Sequence, residues 1–370
     1  MLNLIILSHQ TAASNSGVLH SIKTVFFDGD LLENHDTRLY FFHTDNLHHL
    51  INFASRFNKE NTLFLFNGGF SLCILKVLLL IFINNVTGYQ QVFYWHETAI
   101  SLRRLLGKQD VNFLIKVRRH IIAFILGYVL RSSNNYHLAV SKQSKQLIMF
   151  MLGTQPEKIF IIHEAIDFEK YIHRDDSVKN SFNSHSSLRI CGAGLLDYRK
   201  GFDIFVSIAE TFSTWNGQTI EYSWFGGQLG SIEPRIQTYI NIKLKKTSIQ
   251  LPGFMKPLDK ELRNQNIFLL TSRDDPFPIV ALEALASGLA VFCFDSTGIS
   301  EILPQEFVCH DQSEMIGKVK DYMMNDHTYR YPPNYFQNIA KRFDKKIFLH
   351  KWTIFIRTCL GRNNYSEKPW

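Results

Sequence analysis

Short apolar runs alternate with longer stretches of helical periodicity along the first half of the chain. The apolar runs predict strands at residues 2–7, 25–27, 37–42, 63–66, 92–95, 136–140 and 159–162. Helical stretches fall between them, including residues 72–84, 112–130 and 142–152, the last with Ser141 as its N-cap. Strands and helices in alternation favour a parallel, doubly wound sheet.

The same alternation starts again after residues 173–187, which are polar and typical of a linker or surface loop. Strands are predicted at residues 188–191, 220–225, 249–251, 267–270 and 291–294, and helices at 202–212, from about Pro278, at 315–324 and at 335–360. A chain of 370 residues is long enough for two domains with separate cores. We therefore predict a first domain at residues 1–170, a linker at 171–187, a second domain at 188–335 and a tail at 336–370.

Composition and charge narrow the class of protein. The hydrophobic fraction of 45% is that of a globular protein, and the formal net charge of +7 fits an anionic partner. The five cysteines are scattered without a CxxC pair, which supports neither a disulfide framework nor a zinc site and favours a reducing cytoplasm. The first residues lack the features of a signal peptide, and the longest apolar run, residues 72–83, is too short to span a bilayer.

Two carboxylates flank a predicted helix start in the stretch from Thr271 to Glu301. The strand at 267–270 leads to the acidic pair Asp274 and Asp275, and Glu283 lies in the first turns of the following helix. Open α/β sheets bind ligands at the carboxyl ends of their strands, and a helix N-terminus attracts phosphate. This layout predicts one carboxylate for sugar hydroxyls, backbone amides for a diphosphate and a second carboxylate for a ribose. The alternative is an ordinary strand–turn–helix with a solvated acidic turn.

A second motif, GAGLLDYRKGFD, follows the strand at 188–191. Gly194 lets the backbone come close to a ligand, and the cations Arg199 and Lys200 lie just before a helix start. Two cations beside a helix N-terminus form a diphosphate site. Asp197 occupies the third glycine position of a dinucleotide fingerprint, which disfavours that interpretation. The alternative for Arg199 and Lys200 is a solvated basic turn.

Together the two motifs resemble those of the retaining GT-B glycosyltransferases of family 4. Asp275 and Glu283 match the two acids of the family's Glu-x7-Glu signature, with Asp in the first place as in the subgroup that reads Ser-Arg-acidic-Asp-Pro-Phe-Pro. RKGFD resembles the basic stretch that neutralises the leaving nucleoside diphosphate. Many members carry a further arginine upstream, where this chain has Gly194 and Leu195. Either Arg199 takes that role or the role is absent.

The resemblance implies an α/β protein of the GT-B class, with two Rossmann-like doubly wound domains facing across a cleft. Residues 163–167 resemble the end of the first domain and are assigned a boundary without chemistry. In this class a C-terminal helix commonly crosses back onto the first domain, so we expect the tail to do so. GT-B enzymes neutralise the leaving diphosphate with Arg, Lys and helix dipoles, so we expect neither a metal nor any cofactor beyond the nucleotide-sugar substrate.

Other segments resemble the family more weakly. Ser16 and Gly17 resemble a glycine loop that faces the donor diphosphate, although an ordinary surface turn fits equally. His96, in YWHET, matches a histidine thought to lie near the acceptor and the anomeric carbon; the alternative is a structural hydrogen-bonding histidine. Gly253 and Phe254 resemble a segment near the nucleotide base, although packing alone also produces such turns. The candidate donor-binding positions are completed by residues around the second-domain helix start: Phe277, Ile279 and Val280.

The implied activity is a retaining transfer of a sugar from a nucleotide sugar to a hydroxyl of a glycan or lipid-linked acceptor. By family habit the pathway is the synthesis of a bacterial surface polysaccharide, such as lipopolysaccharide or capsule. In this assignment Asp275, Arg199, Lys200 and His96 carry the chemistry. Two alternatives stay open: a nucleotide-sugar epimerase or hydrolase on the same fold, and a catalytically silent nucleotide-binding subunit of a polysaccharide assembly complex.

The segment between Ser101 and Arg131 carries most of the excess positive charge. It holds seven basic residues and one acid, Asp110, with apolar residues interleaved. Such a surface can lie on an anionic membrane, gaining about 1 kcal/mol per nearby cation. We therefore expect a cytoplasmic protein that associates peripherally with the membrane, the alternative being a solvated basic face. Nucleic acid is not expected as a partner, because no known module accompanies the charge.

Overall fold

The chain folds into two compact units. The structure, a computed structural model, describes residues 2–8, 37–43, 53, 56–67, 81, 87–96, 128, 130, 135–153, 155–172, 188–227, 230, 232–255, 258–324 and 331–361. One unit comprises Met1–Glu164 and Lys345–Trp370, and the other comprises Ala165–Asp344. Each unit is built on a parallel sheet, so the predicted α/β class with two Rossmann-like domains is confirmed.

Within its described residues, the first unit contains a six-stranded sheet. Its strands are β1 Leu2–Ser8, β2 Thr37–His43, β3 Thr62–Asn67, β4 Gln90–Trp95, β5 Asn135–Ala139 and β6 Ile159–Ile161. They pair in parallel in the order β2-β1-β3-β4-β5-β6. Every residue of β3 is buried, as expected where both faces of a parallel sheet are covered.

Helix α1 (Lys142–Leu152) follows β5 and has the predicted bounds. The Ser141 hydroxyl caps it by accepting the N–H of Ser144 at 3.1 Å. The predicted strand at residues 25–27, and all but single positions of the predicted helices at 72–84 and 112–130, lie outside the described residues.

The second unit contains a six-stranded sheet and a short hairpin. Its strands are β7 Arg189–Ala193, β8 Thr214–Trp215, β9 Gln218–Thr219, β10 Glu221–Phe225, β11 Ile249–Gly253, β12 Ile267–Leu270, β13 Ala290–Phe294 and β14 Val308–Cys309. The sheet is parallel in the order β11-β10-β7-β12-β13-β14. The direction of winding therefore reverses between β7 and β12, and the carboxyl ends of these strands form the switch point where such sheets bind ligands.

The helices of the second unit connect these strands. They are α2 Phe168–Tyr171, α3 Phe202–Thr211, α4 Pro234–Leu244, α5 Asp259–Arg263, α6 Ile279–Ala286, α7 Gln312–Met324 and α8 Pro333–Lys341. Short 3₁₀ turns occupy Gly298–Ile302 and Gln305–Phe307 in this unit, and Lys59–Asn61 and Pro156–Lys158 in the first unit. Helices α3 and α6 begin where the sequence predicts them.

The domain boundaries lie elsewhere than those drawn from the sequence. Residues 165–171 pack with the second unit, because Ile166 pairs with Asp344 and donates its N–H to the Phe343 carbonyl at 3.1 Å. The predicted single tail helix at 335–360 is two helices, α8 and α9 (Lys345–Cys359), separated at residues 342–344. Only α8 belongs to the second unit.

Helix α9 is part of the first unit. The Trp352 ring meets Tyr94 edge-on with centroids 5.4 Å apart, and Phe355 lies 5.1 Å from Phe160. Within the described part of the chain, no helix is both long and apolar enough to cross a membrane.

Candidate active site

Two loops meet beyond the switch point of the second sheet. One follows β7 and holds Arg199, Lys200 and Gly201, and the other follows β12 and begins at Thr271. Gly201 has a φ of +68°, and a Cβ there would lie 1.8 Å from the Thr271 carbonyl oxygen. The Arg273 N–H donates to the Arg199 carbonyl at 2.9 Å. The loops therefore touch backbone to backbone, which only glycine at position 201 permits.

This contact brings together the cations and the carboxylate predicted from distant motifs. Lys200 Nζ donates to Asp275 Oδ2 at 2.5 Å, and Arg199 Nη1 lies 4.0 Å from the same oxygen. Arg199 Nη1 also donates to the Asp274 carbonyl at 3.1 Å. The Lys200 and Arg199 side chains are 17% and 24% exposed, so this is an organised cluster and not a solvated basic turn.

Arg273 holds the two loops together, and sequence analysis missed its role. Its guanidinium donates to both carboxylate oxygens of Asp203, at 2.7 and 2.6 Å, and to the Tyr198 carbonyl at 2.6 Å. It also stacks on one face of the Tyr198 ring at 3.7 Å, while Arg235 covers the other face at 3.5 Å. A planar fork with several donors is suited to this task, which lysine could not perform. The sequence did contain a sign of this ion pair, because the two motifs each hold one of its members: Arg273 in SRDDPFP and Asp203 in RKGFD.

Helix α6 starts beside the cluster. Ile279 and Val280 are half-buried and lead its first turn, where amide groups lack carbonyl partners within the helix. Phe277, in contrast, is buried, and its ring lies 5.6 Å from that of Phe343. The prediction that Phe277 binds the donor is therefore restricted to its backbone, because its side chain belongs to the core.

Glu283 lies one turn further along α6 and has a partner that sequence analysis did not find. The Tyr171 hydroxyl donates to Glu283 Oε1 at 2.6 Å. Burial, followed by the charge of Glu283, raises the pKa of Tyr171 above its ordinary value, so this hydroxyl remains a donor at neutral pH.

The turns after β7, β10 and β11 are stacked on one another. The Gly194 N–H donates to the Phe225 carbonyl and the Gly226 N–H to the Gly253 carbonyl, both at 2.8 Å. A Cβ on Gly226 would lie 2.5 Å from the Gly194 carbonyl oxygen, so the spacing requires glycine there. The next residue after this stack, Phe254, is 60% exposed. An exposed aromatic ring at the carboxyl edge of the sheet is suited to stacking on a base.

His96 belongs to the first unit, at the end of β4. Its Nε2 lies 3.1 Å from Asn67 Oδ1 and its Nδ1 lies 3.0 Å from Glu164 Oε1. The ring also packs on Tyr94, with centroids 4.0 Å apart. Asn67 and Glu164 were not predicted to contact His96, and Glu164 lies in the segment assigned no chemistry. These contacts are those of a structural, hydrogen-bonded histidine. The role of His96 near an acceptor stays a prediction.

The two remaining candidate residues belong to the predicted glycine loop of the first domain. Ser16 and Gly17 lie outside the described residues. Among the residues that are described, no group of three His, Cys, Asp or Glu side chains is arranged to hold a metal ion.

The fold can be compared with those of solved structures. The two-domain α/β fold is that of the GT-B glycosyltransferases. The chain superimposes on Anabaena Alr3699/HepE, solved in complex with UDP and with UDP-glucose, with a TM-score of 0.70 and 13% identity. The superposition covers 97% of this chain and 100% of that one, and at this identity it concerns the fold alone.

The sequence comparisons match part of the chain to a family model. Residues 188–325, most of the second unit, match the family model of glycosyl transferases group 1. The alpha-galactosylglucosyldiacylglycerol synthase of Streptococcus pneumoniae is 23% identical over 289 residues, covering 74% of this chain and 73% of that protein. The amylovoran biosynthesis glycosyltransferase AmsK of Erwinia amylovora is 26% identical over 222 residues, covering 58% of this chain. The alignment spans only 49% of AmsK.

Proposed function

We propose that the protein is a retaining glycosyltransferase that moves a hexosyl group from a nucleotide sugar to an acceptor hydroxyl. The observation that carries this proposal is the cluster of Arg199, Lys200 and Asp275 at the switch point, beside the start of α6. Two cations and a helix N-terminus form an anion site, and an adjacent carboxylate can accept hydroxyl donors. A diphosphate linked to a sugar has both chemical features.

The roles of the residues follow from the charge that develops during transfer. As the glycosidic bond to phosphate breaks, negative charge grows on the diphosphate, where Lys200, Arg199 and the helix amides stabilise it. Asp275 holds the sugar hydroxyls, and Glu283 holds the ribose. We assign no protein nucleophile, because the leaving phosphate can take the acceptor proton on the same face of the sugar. Two cations and a helix dipole supply the charge that a metal would otherwise provide.

The names of the similar proteins support the proposed donor and acceptor classes. Because HepE was solved with UDP and UDP-glucose, we propose a UDP-sugar as donor. The pneumococcal relative is named as a glycolipid synthase and AmsK as an enzyme of amylovoran biosynthesis. We therefore propose a glycan or lipid-linked acceptor in the synthesis of a surface polysaccharide or glycolipid.

Product analysis tests this function. The purified protein is incubated with UDP-hexoses and a lipid-linked or oligosaccharide acceptor, and the products are separated by mass and anomeric configuration. We expect acceptor-dependent release of UDP and a product that keeps the donor's configuration. A new nucleotide sugar formed without acceptor would instead identify an epimerase, and UDP binding without any turnover would identify a silent subunit.

We also propose that the segment between Ser101 and Arg131, which lies outside the described residues apart from Tyr128 and Leu130, binds the inner face of the membrane. At low salt the protein is expected to float with vesicles of anionic lipid and to stay behind with neutral vesicles. Raising the salt should release it, because screening weakens attraction between charges. Equal flotation with neutral vesicles, or none with anionic ones, would contradict an electrostatic membrane contact.

A further inference from the structure

The segment 165–171, whose last residue is the first residue of the predicted linker, is firmly built into the second unit. The Phe168 N–H donates to Asp344 Oδ2 at 3.2 Å, and Ile166 pairs with the same residue. Ala165, Ile166, Phe168 and Tyr171 are all buried. A buried segment that is hydrogen-bonded at several points holds its side chains in fixed positions. Tyr171, at its end, is therefore placed against helix α6 and does not move freely as part of a linker.

The Tyr171 hydroxyl has one hydrogen to donate, and it donates this hydrogen to Glu283. The 2.6 Å bond to Oε1 is at the short end expected for a hydroxyl and a carboxylate. A carboxylate accepts about four hydrogen bonds in all, so the phenol restrains the carboxylate without using up its capacity. The raised pKa of Tyr171 supports this, since the phenol stays protonated and keeps donating.

We propose that Tyr171 is a positioning residue of the donor site, whose hydroxyl holds the Glu283 carboxylate in the orientation that accepts the ribose hydroxyls. This inference rests on the proposed function, in which Glu283 binds the ribose of a nucleoside diphosphate. It adds to the site a residue from outside the matched segment 188–325, at the start of the stretch that the sequence predicts as a linker.

Tyr171→Phe tests the proposal, because it removes the hydroxyl and leaves the buried ring. UDP affinity is measured by calorimetry, and KM and kcat are measured with a UDP-hexose donor. We expect UDP to bind about tenfold more weakly, the loss typical of one hydrogen bond to a charged group. The donor KM should rise by a similar factor while kcat changes little, since the ribose is bound equally before and during transfer.

Tyr222→Phe is the matched control. Tyr222 is also buried in the second unit, and its hydroxyl donates to the Phe212 carbonyl at 2.5 Å, away from the site. The Tyr222→Phe substitution should lower the melting temperature without changing the affinity for UDP. If the two variants lower both quantities to the same extent, Tyr171 has only a structural role and the proposal is wrong.

Glu283→Gln separates failure of this proposal from failure of the proposed function. Glu283→Gln should weaken UDP binding, and the double variant with Tyr171→Phe should bind no more weakly than Glu283→Gln alone, because the two residues act as one unit. If Glu283→Gln weakens binding and Tyr171→Phe does not, the positioning role is wrong and the proposed function stands. If the unaltered protein binds neither UDP, GDP nor ADP, the proposed function fails and this inference fails with it.

Discussion

Lys200→Ala is expected to lower turnover by about 10²–10³-fold, the loss typical of removing one donor from a preorganised anion site. Lys200 contributes a full charge beside the start of α6 and donates to Asp275 Oδ2 at 2.5 Å. In the proposed mechanism, its removal takes away stabilisation of the leaving diphosphate and also frees the carboxylate to which Lys200 donates. Steady-state rates with a UDP-hexose measure the effect, and Lys200→Arg, which keeps the charge, should recover part of it.

Lys243→Ala is the control for this loss. Lys243 is also a partly buried lysine of the second unit, paired with Glu210 on α3, and it lies outside the two loops of the site. Its replacement should leave turnover close to that of the unaltered protein. Full turnover in Lys200→Ala, or an equal loss in both variants, would remove the basis for a diphosphate site at Lys200.

Gly201→Ala is expected to have the largest effect on stability, lowering the free energy of unfolding by about 3 kcal/mol or more. The new Cβ would lie 1.8 Å from the Thr271 carbonyl oxygen, and the φ of +68° is strained for alanine. Because the obstacle is backbone, relief requires the loop after β7 to move away from the loop after β12. Turnover should therefore fall as well, as the cations move away from Asp275.

Gly217→Ala measures how much of this loss of stability comes from the positive φ alone. Gly217 has a φ of +78°, and a Cβ there would meet no atom within 4 Å. Its replacement should cost about 1 kcal/mol and leave turnover unchanged. Urea denaturation followed by circular dichroism measures both variants. If Gly201→Ala and Gly217→Ala lowered the free energy of unfolding equally, the close approach of Gly201 to Thr271 would add nothing to the cost of the substitution.

Among the described residues, the sequence predicted the longer strands for a physical reason, whereas the two-residue strands β8, β9 and β14 were not predicted. Strands buried on both faces contain continuous apolar runs, such as residues 63–66 of β3 and the whole of β12, and these runs differ from their polar surroundings. The break between α8 and α9 could not be predicted in this way. No glycine or proline marks residues 342–344, and the chain turns there because Asp344 pairs with Ile166 and accepts the Phe168 N–H, contacts distant in sequence.

The same contrast holds for the candidate site. Lys200 and Asp275 could be predicted to meet, because each follows a strand and the carboxyl ends of neighbouring parallel strands share one edge of a sheet. The contact of Tyr171 with Glu283 could not be predicted, because the two residues are 112 positions apart. No local pattern distinguishes Tyr171 from the other tyrosines. The burial of Tyr171 also depends on the boundary between the two units. The sequence placed this boundary after residue 170, whereas the structure divides the units after Glu164.

The assignment of α9 to the first unit makes that unit discontinuous in sequence. The second unit, Ala165–Asp344, is a single stretch of polypeptide whose two ends lie side by side, since Ile166 pairs with Asp344. It is inserted into the first unit, whose core is completed by Trp352 and Phe355 from the far end of the chain. During synthesis, β1 through β6 therefore emerge long before the helix that they need. The first unit is therefore completed only after the whole of the second unit has been synthesised.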